Sequence, residues 1–253
     1  AGIDYRSTNI LDGMNVAESL TDTSKYHSRM LVVDTQRNQW PEKHRNSCVM
    51  DGDWRLMDGV ELYHLANDLG QTQDVSSQFP EKVKEMSEFY HDWWNSIQPD
   101  LEYAQIPVGS NQEEVLITIH DLHTTDGLPW HQNMIREAKF HPEGFYSIKV
   151  VSEGNYQLAL SRYPFEAGKS LNATIPAVSA LDYQNGMPAG AALEIIAAVF
   201  ELDGQSYRMQ ADPNSLFVTW QGALDPGEYQ MSSYFLTEAG EKIPVNYHRF
   251  KKI

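Results

Sequence analysis

Ser47-Cys48-Val49-Met50-Asp51-Gly52-Asp53-Trp54-Arg55-Leu56-Met57-Asp58-Gly59-Val60-Glu61-Leu62-Tyr63-His64-Leu65 decides the fold of the first part of the chain. Asp51-Gly52 and Asp58-Gly59 are tight-turn dipeptides, because a two-residue hairpin needs positive φ that Asp tolerates and Gly adopts freely. The runs around them, Ser47 to Met50, Trp54 to Met57 and Val60 to Leu65, have strand length and strand composition. Arg29 to Gln36 holds Met30-Leu31-Val32-Val33, a further strand by its β-branched content. Together they predict a short antiparallel meander. Cys48 is expected as a small hydrophobe buried on a strand.

Downstream, Pro80 suits the first turn of a helix, where its missing N–H costs nothing. Phe79, Val83, Met86, Tyr90, Trp93 and Ile97 follow at spacings of 4, 3, 4, 3 and 4, opposite Lys82, Lys84, Glu85 and Glu88. That is one apolar stripe on an amphipathic helix from Pro80 to about Ile97. Residues 1–97 therefore form an α+β subdomain, a short antiparallel sheet covered by one C-terminal helix. Residues 98–112, with two prolines, a glycine and little periodicity, are expected to be a linker.

Beyond it the pattern changes to all-β. Val115 to His120, Phe145 to Val151, Tyr156 to Arg162, Leu193 to Leu202, Tyr207 to Gln210, Leu216 to Trp220, Tyr229 to Leu236 and Val245 to Phe250 read as strands. Glu153-Gly154-Asn155, Asp203-Gly204, Asp225-Pro226-Gly227 and Ala239-Gly240 separate them as turns. Ile195 to Phe200 is apolar on both faces and should lie inside a sheet. Residues 113–253 are expected to form a β-sandwich.

Composition sets limits. At 253 residues the chain has room for one large or two modest domains. A formal charge of −16 argues against nucleic acid, whose phosphates need concentrated Lys and Arg, and against long-range capture of polyanions. No apolar run approaches the ~18 residues of a membrane helix. Ala1-Gly2-Ile3-Asp4 shows no signal-peptide pattern, and Asn172-Ala173-Thr174 is a glycosylation sequon. One cysteine excludes an internal disulfide framework.

Trp54-Arg55-Leu56, Glu61-Leu62-Tyr63, Asn67-Asp68, Gly70-Gln71, Pro80-Glu81 and Trp93-Trp94 occur in this order. The order resembles the C-terminal end of an arylsulfatase-type, formylglycine-dependent sulfatase, where W-R/K-L-x-x-G leads into E-L-Y-D-L-x-x-D-P-G and an aromatic-ended helix. His64 and Leu69 depart from that pattern, which usually has Asp and Pro there. Asp12 to Leu20 resembles a short helix that closes the family's catalytic domain. In the second half, His120-Asp121-Leu122-His123, Pro129-Trp130-His131-Gln132 and Leu160-Ser161-Arg162-Tyr163-Pro164-Phe165-Glu166-Ala167 resemble the β-domain appended in some large bacterial arylsulfatases.

The resemblance implies a parent that hydrolyses sulfate esters with formylglycine and calcium or magnesium. It implies an exported or periplasmic location for that parent. This chain has no C/S-x-P-x-R, the motif matured to formylglycine, and no Asp-Asp or Asp-Asn dipeptide to match the family's metal ligands. It is therefore read as a piece of such an enzyme, inactive alone, whose partner is the parent's catalytic domain. No catalytic residue, metal ligand or cofactor of its own is expected.

Two clusters are candidate binding sites. Arg37, Lys43, His44 and Arg45 form a basic loop that the resemblance places near the mouth of the sulfatase pocket, where Arg suits oxyanions. The alternative is a solvated loop. His120, His123, Trp130 and Gln132 are candidate glycan contacts. A zinc site there would need Asp121 or His131 as further ligands, and a loop fixed by hydrogen bonds with Trp130 packed beneath it is the plainer reading. The sequence thus predicts the non-catalytic C-terminal portion of a sulfatase that completes or shields the substrate pocket, with a sulfated small molecule or glycan as its ligand. The alternative is a stand-alone carbohydrate-binding or structural β-sandwich, with no nucleic acid or membrane partner in either case.

Overall fold

The structure is a computed structural model that describes residues 12–36, 38–110 and 114–253. The chain divides into two compact units, Ala1–Gln36 with Pro41–Asp100 and Arg37–Trp40 with Leu101–Ile253.

In the first unit β1 (Leu31–Asp34), β2 (Ser47–Asp51), β3 (Trp54–Met57) and β4 (Glu61–His64) form an antiparallel sheet in chain order. Asp58 and Gly59 both hold positive φ, 50° and 75°, and so close β3 onto β4. The Asp58 carboxylate accepts from the Ser47 N–H at 2.8 Å, which ties that turn back to β2. Register places Val32, Val49, Leu56 and Leu62 side by side across the four strands. Against this row packs α1 (Pro80–Ile97), with Met86, Tyr90 and Trp94 buried.

Strand alternation sends the intervening residues to the opposite face. Leu31, Met50, Arg55 and Tyr63 form one cross-strand row there, and Val33, Cys48 and Met57 the next. Cys48 is therefore half-buried, not a core residue. Its ring-free neighbours on this face, Leu31 and Val33, remain 37% and 44% exposed.

Three local expectations change. The buried aromatic at the end of α1 is Trp94 at 8% exposure, whereas Trp93 is only partly buried. Met86, Tyr90 and Trp94 lie at successive steps of four, so the buried stripe swings past Trp93, and Phe79 stays 44% exposed at the helix start. Asp12 to Leu20 contains no helix. Turn bonds such as Leu20 N–H to Val16 C=O occur instead.

The second unit is a sandwich of two sheets. Its strands are β5 (Ile106–Val108), β6 (Glu114–Thr118), β7 (Tyr146–Val150), β8 (Gly154–Ser161), β9 (Ile195–Leu202), β10 (Gln205–Gln210), β11 (Val218–Leu224), β12 (Gly227–Thr237), β13 (Lys242–Pro244) and β14 (Tyr247–Lys252). One sheet runs β10-β9-β12-β7-β5, with β13 on β12, and the other runs β11-β8-β14-β6. Every pairing is antiparallel except β5 with β7. Leu158, Phe200, Trp220, Phe235 and Phe250 belong to the core between the sheets. As expected, β9 is an interior strand.

Two strands escape the sequence pattern. β5 falls within residues 98–112, read above as a linker, and its Val108 is fully buried. β13 is also unforeseen, because three residues carry no readable alternation. A short helix, α2 (Gln132–Glu137), is the third addition.

Candidate functional site

The His120–Trp130 region is built on a turn. β6 stops at Thr118, short of the His120 end expected from the sequence, because Thr118 and Asp121 form a capping box over residues 119–121. The Asp121 carboxylate accepts from the Thr118 N–H at 2.7 Å. The chain leaves strand geometry here, so His120 and His123 are not held on opposite faces. Both open onto one depression of about 430 Å³, whose wall also includes Trp130.

The depression has a firm frame. His123 and Phe145 exchange backbone hydrogen bonds of 2.8 and 3.1 Å. Gly144 permits this approach, since a Cβ there would lie 2.1 Å from the His123 carbonyl oxygen. Tyr103 packs on His123 with ring centroids 4.5 Å apart, and Gln39 donates to the Tyr103 hydroxyl at 2.9 Å. Asp126 accepts from the Glu143 N–H at 2.9 Å, which pins the loop tip. Burial lowers the His123 pKa, partly opposed by Asp121.

Trp130 is not packed beneath this loop. It is 73% exposed, with its edge toward His131. Gln132 begins α2 and does not line the depression. The structure thus brings together His120, His123 and Trp130 and leaves Gln132 out. Asn38, Gln39 and Thr124 join the wall without any warning from the sequence, because Asn38 and Gln39 arrive from a segment remote along the chain.

Zinc finds no set of ligands here. Asp121 is committed to Thr118, and His131 Nδ1 accepts from the Asn133 N–H at 3.1 Å. Among the described residues no group of three or more His, Cys, Asp or Glu side chains is placed to hold a metal ion.

In the basic loop, Arg37 lies outside the described residues. Lys43 meets His91 of α1. His44 stacks on Tyr90 with centroids 4.5 Å apart, and its N–H donates to the Tyr90 hydroxyl at 3.0 Å. Burial, then Lys43, lowers the His44 pKa. Arg45 pairs with Glu42 at 2.6 Å. Lys43 and His44 are thus turned to the covering helix and Arg45 to its own loop, each engaged separately.

The segments that resemble the sulfatase pattern have local tasks. Asp68 accepts from the N–H groups of Thr72 and Gln73 at 2.6 and 2.8 Å, and bonds to Gln73 first, then Thr72, hold its pKa below the usual carboxylate range. Asp74 accepts from Leu62 N–H of β4 at 3.0 Å. These carboxylates shape the passage from sheet to helix.

One further pairing was invisible in the sequence. Ser233 Oγ lies 2.6 Å from His248 Nε2 beneath a second depression of about 280 Å³. His248 is fully buried, which pushes its pKa down to about 3, and its Nδ1 has no hydrogen-bond partner. A nucleophile needs a base of useful strength, oriented by a third group. With its pKa pushed so low by burial, His248 is too weak a base for that work.

No family model and no curated protein matches the chain. Solved structures with a distant likeness include a Podospora anserina GH26-CBM35 β-(1,4)-mannanase, at 10% identity and TM-score 0.30, covering 56% of this chain and 28% of that one. A β-glucosidase from Paenibacillus barengoltzii has 13% identity and TM-score 0.22, with coverages of 42% and 9%. A ruminal GH26 endo-β-1,4-mannanase has 16% identity and TM-score 0.29, with coverages of 60% and 27%. The chain spans less than a third of the length of each, and at these scores the likenesses carry no functional argument.

Proposed function

We propose that this chain is a non-catalytic portion of a sulfatase-type hydrolase, in which the first unit docks on the domain that carries formylglycine and its divalent cation. The observation that carries the reading is the face of the β1–β4 sheet opposite α1. Leu31 and Val33 are exposed there beside half-buried Met50, Met57 and Tyr63, while α1 fills the other face. That face also carries Arg55 and Glu61, yet exposed aliphatic side chains on the second face of so small a sheet suit burial on both sides. The ordered match of Trp54-Arg55-Leu56 and Glu61-Leu62-Tyr63 to adjacent strands, with Asp68 shaping the loop toward α1, supports the family. The role assigned to this part is to complete and shield the catalytic pocket.

The test is turnover of an aryl sulfate by the purified chain with calcium or magnesium, alone and with the catalytic region from the same gene. Hydrolysis only in the second case is expected. Turnover by the chain alone contradicts the reading.

A further inference from the structure

The depression beside Trp130 lies wholly within the second unit and does not depend on the sulfatase reading. We propose that it is a subsite for a neutral pyranose unit of a glycan, with Trp130 as the stacking platform and Asn38, Gln39, His120, His123 and Thr124 as the groups that read its hydroxyls.

Three observations converge on that chemistry. First, Trp130 is 73% exposed although its backbone is held between buried Pro129 and the helix-capping His131. An exposed indole on a fixed backbone offers a flat apolar surface at little entropic cost. A pyranose ring presents a matching face of C–H groups. Second, the polar groups of the wall, set among Leu122, Leu128 and Pro129, are two amides, a hydroxyl and two imidazoles, and burial lowers the His123 pKa. Such groups both donate and accept, which is what vicinal hydroxyls require. An ammonium ligand would want a carboxylate or an aromatic cage, and among the described residues the wall has neither. A sulfated or uronic sugar would want Arg or Lys, and among the described residues the wall has none. Third, the frame is set without ligand: the capping box, the His123–Phe145 bridge and the Asp126 clamp hold the loop. The volume, about 430 Å³, is within the ~300–1,000 Å³ of small-ligand sites.

The test is calorimetric titration of the whole chain with neutral trisaccharides of glucose, mannose and galactose, a sulfated disaccharide and choline. At least one neutral trisaccharide should bind with a Kd of roughly 0.1–5 mM. Trp130→Ala should weaken that binding about tenfold or more, and Trp130→Phe should restore part of it. Because Trp130 is exposed, Trp130→Ala should leave the unfolding midpoint unchanged, so lost binding is not lost fold. No binding of any neutral trisaccharide at about 20 mM, binding unaffected by Trp130→Ala, or preference for the sulfated sugar or choline overturns the proposal.

Discussion

The Arg162 guanidinium donates to the Ala191 carbonyl at 2.7 Å, and so joins the end of β8 to the far end of a long segment that precedes β9. The same group reaches the Leu171 and Ala173 carbonyls at 3.2 and 3.4 Å. Arg162 is 1% exposed, and burial lowers its pKa from the ordinary value. A buried cation bonded through its terminal nitrogens to backbone carbonyls, with Nε left without a partner, staples a loop that holds only isolated bridges of its own, Val178 with Met187 and Leu181 with Gln184. Arg162→Leu should leave those carbonyls unpaired and cost about 2–4 kcal/mol of second-unit stability. Denaturant unfolding followed by Trp220 fluorescence would check this, and a change well under 1 kcal/mol would contradict it.

His248 predicts an acid weakness. Its folded pKa of about 3 lies below the ordinary 6.5, so the unfolded chain binds the extra proton. Stability from this group is complete above pH 6.5 and declines as pH falls from there toward 3, by at most ~1.4 kcal/mol per pH unit. His248→Gln should flatten the decline between pH 6.5 and 4. Thermal unfolding of both proteins across that range is the measurement, and parallel curves would refute the assignment.

The end of α1 separates neighbouring tryptophans. Trp94→Ala should cost roughly 3–5 kcal/mol, the range for a buried large aromatic, and Trp93→Ala about half as much. Equal losses in denaturant midpoint would show that the helix is rotated relative to the packing described.

Asp68 makes a smaller, pH-linked prediction. Hydrogen bonds from Gln73 and Thr72 depress its pKa below 3.8, so its contribution is present above that value and is lost as pH falls through the depressed one. Asp68→Asn should lower first-unit stability at pH 7, and its gap to the parent should close as pH falls below 4 and the parent's carboxylate protonates. A variant as stable as the parent at pH 7 would contradict the role.

The elements were legible wherever local chemistry repeats. Asp-Gly turns placed β2, β3 and β4, and the stripe through Met86 and Tyr90 placed α1. Periodicity fixed which face of α1 is apolar but not which of two adjacent indoles is deepest, since that depends on where the row Val32–Val49–Leu56–Leu62 sits. β5 was unreadable because Pro107 interrupts a three-residue strand whose pairing with β7 is non-local. The site was only partly legible. Clustered His120, His123 and Trp130 were visible, whereas Asn38 and Gln39 enter through tertiary folding alone, and the exposure of Trp130 has no signature in composition.

The docking of the β1–β4 face is tested most directly by co-expressing the chain with the C/S-x-P-x-R-bearing catalytic region of its gene and measuring their association. A stable complex is expected, weakened at least tenfold by Leu31→Asp with Val33→Asp, since two charges would enter the interface. A complex indifferent to both substitutions, or a gene with no such catalytic region, would contradict it.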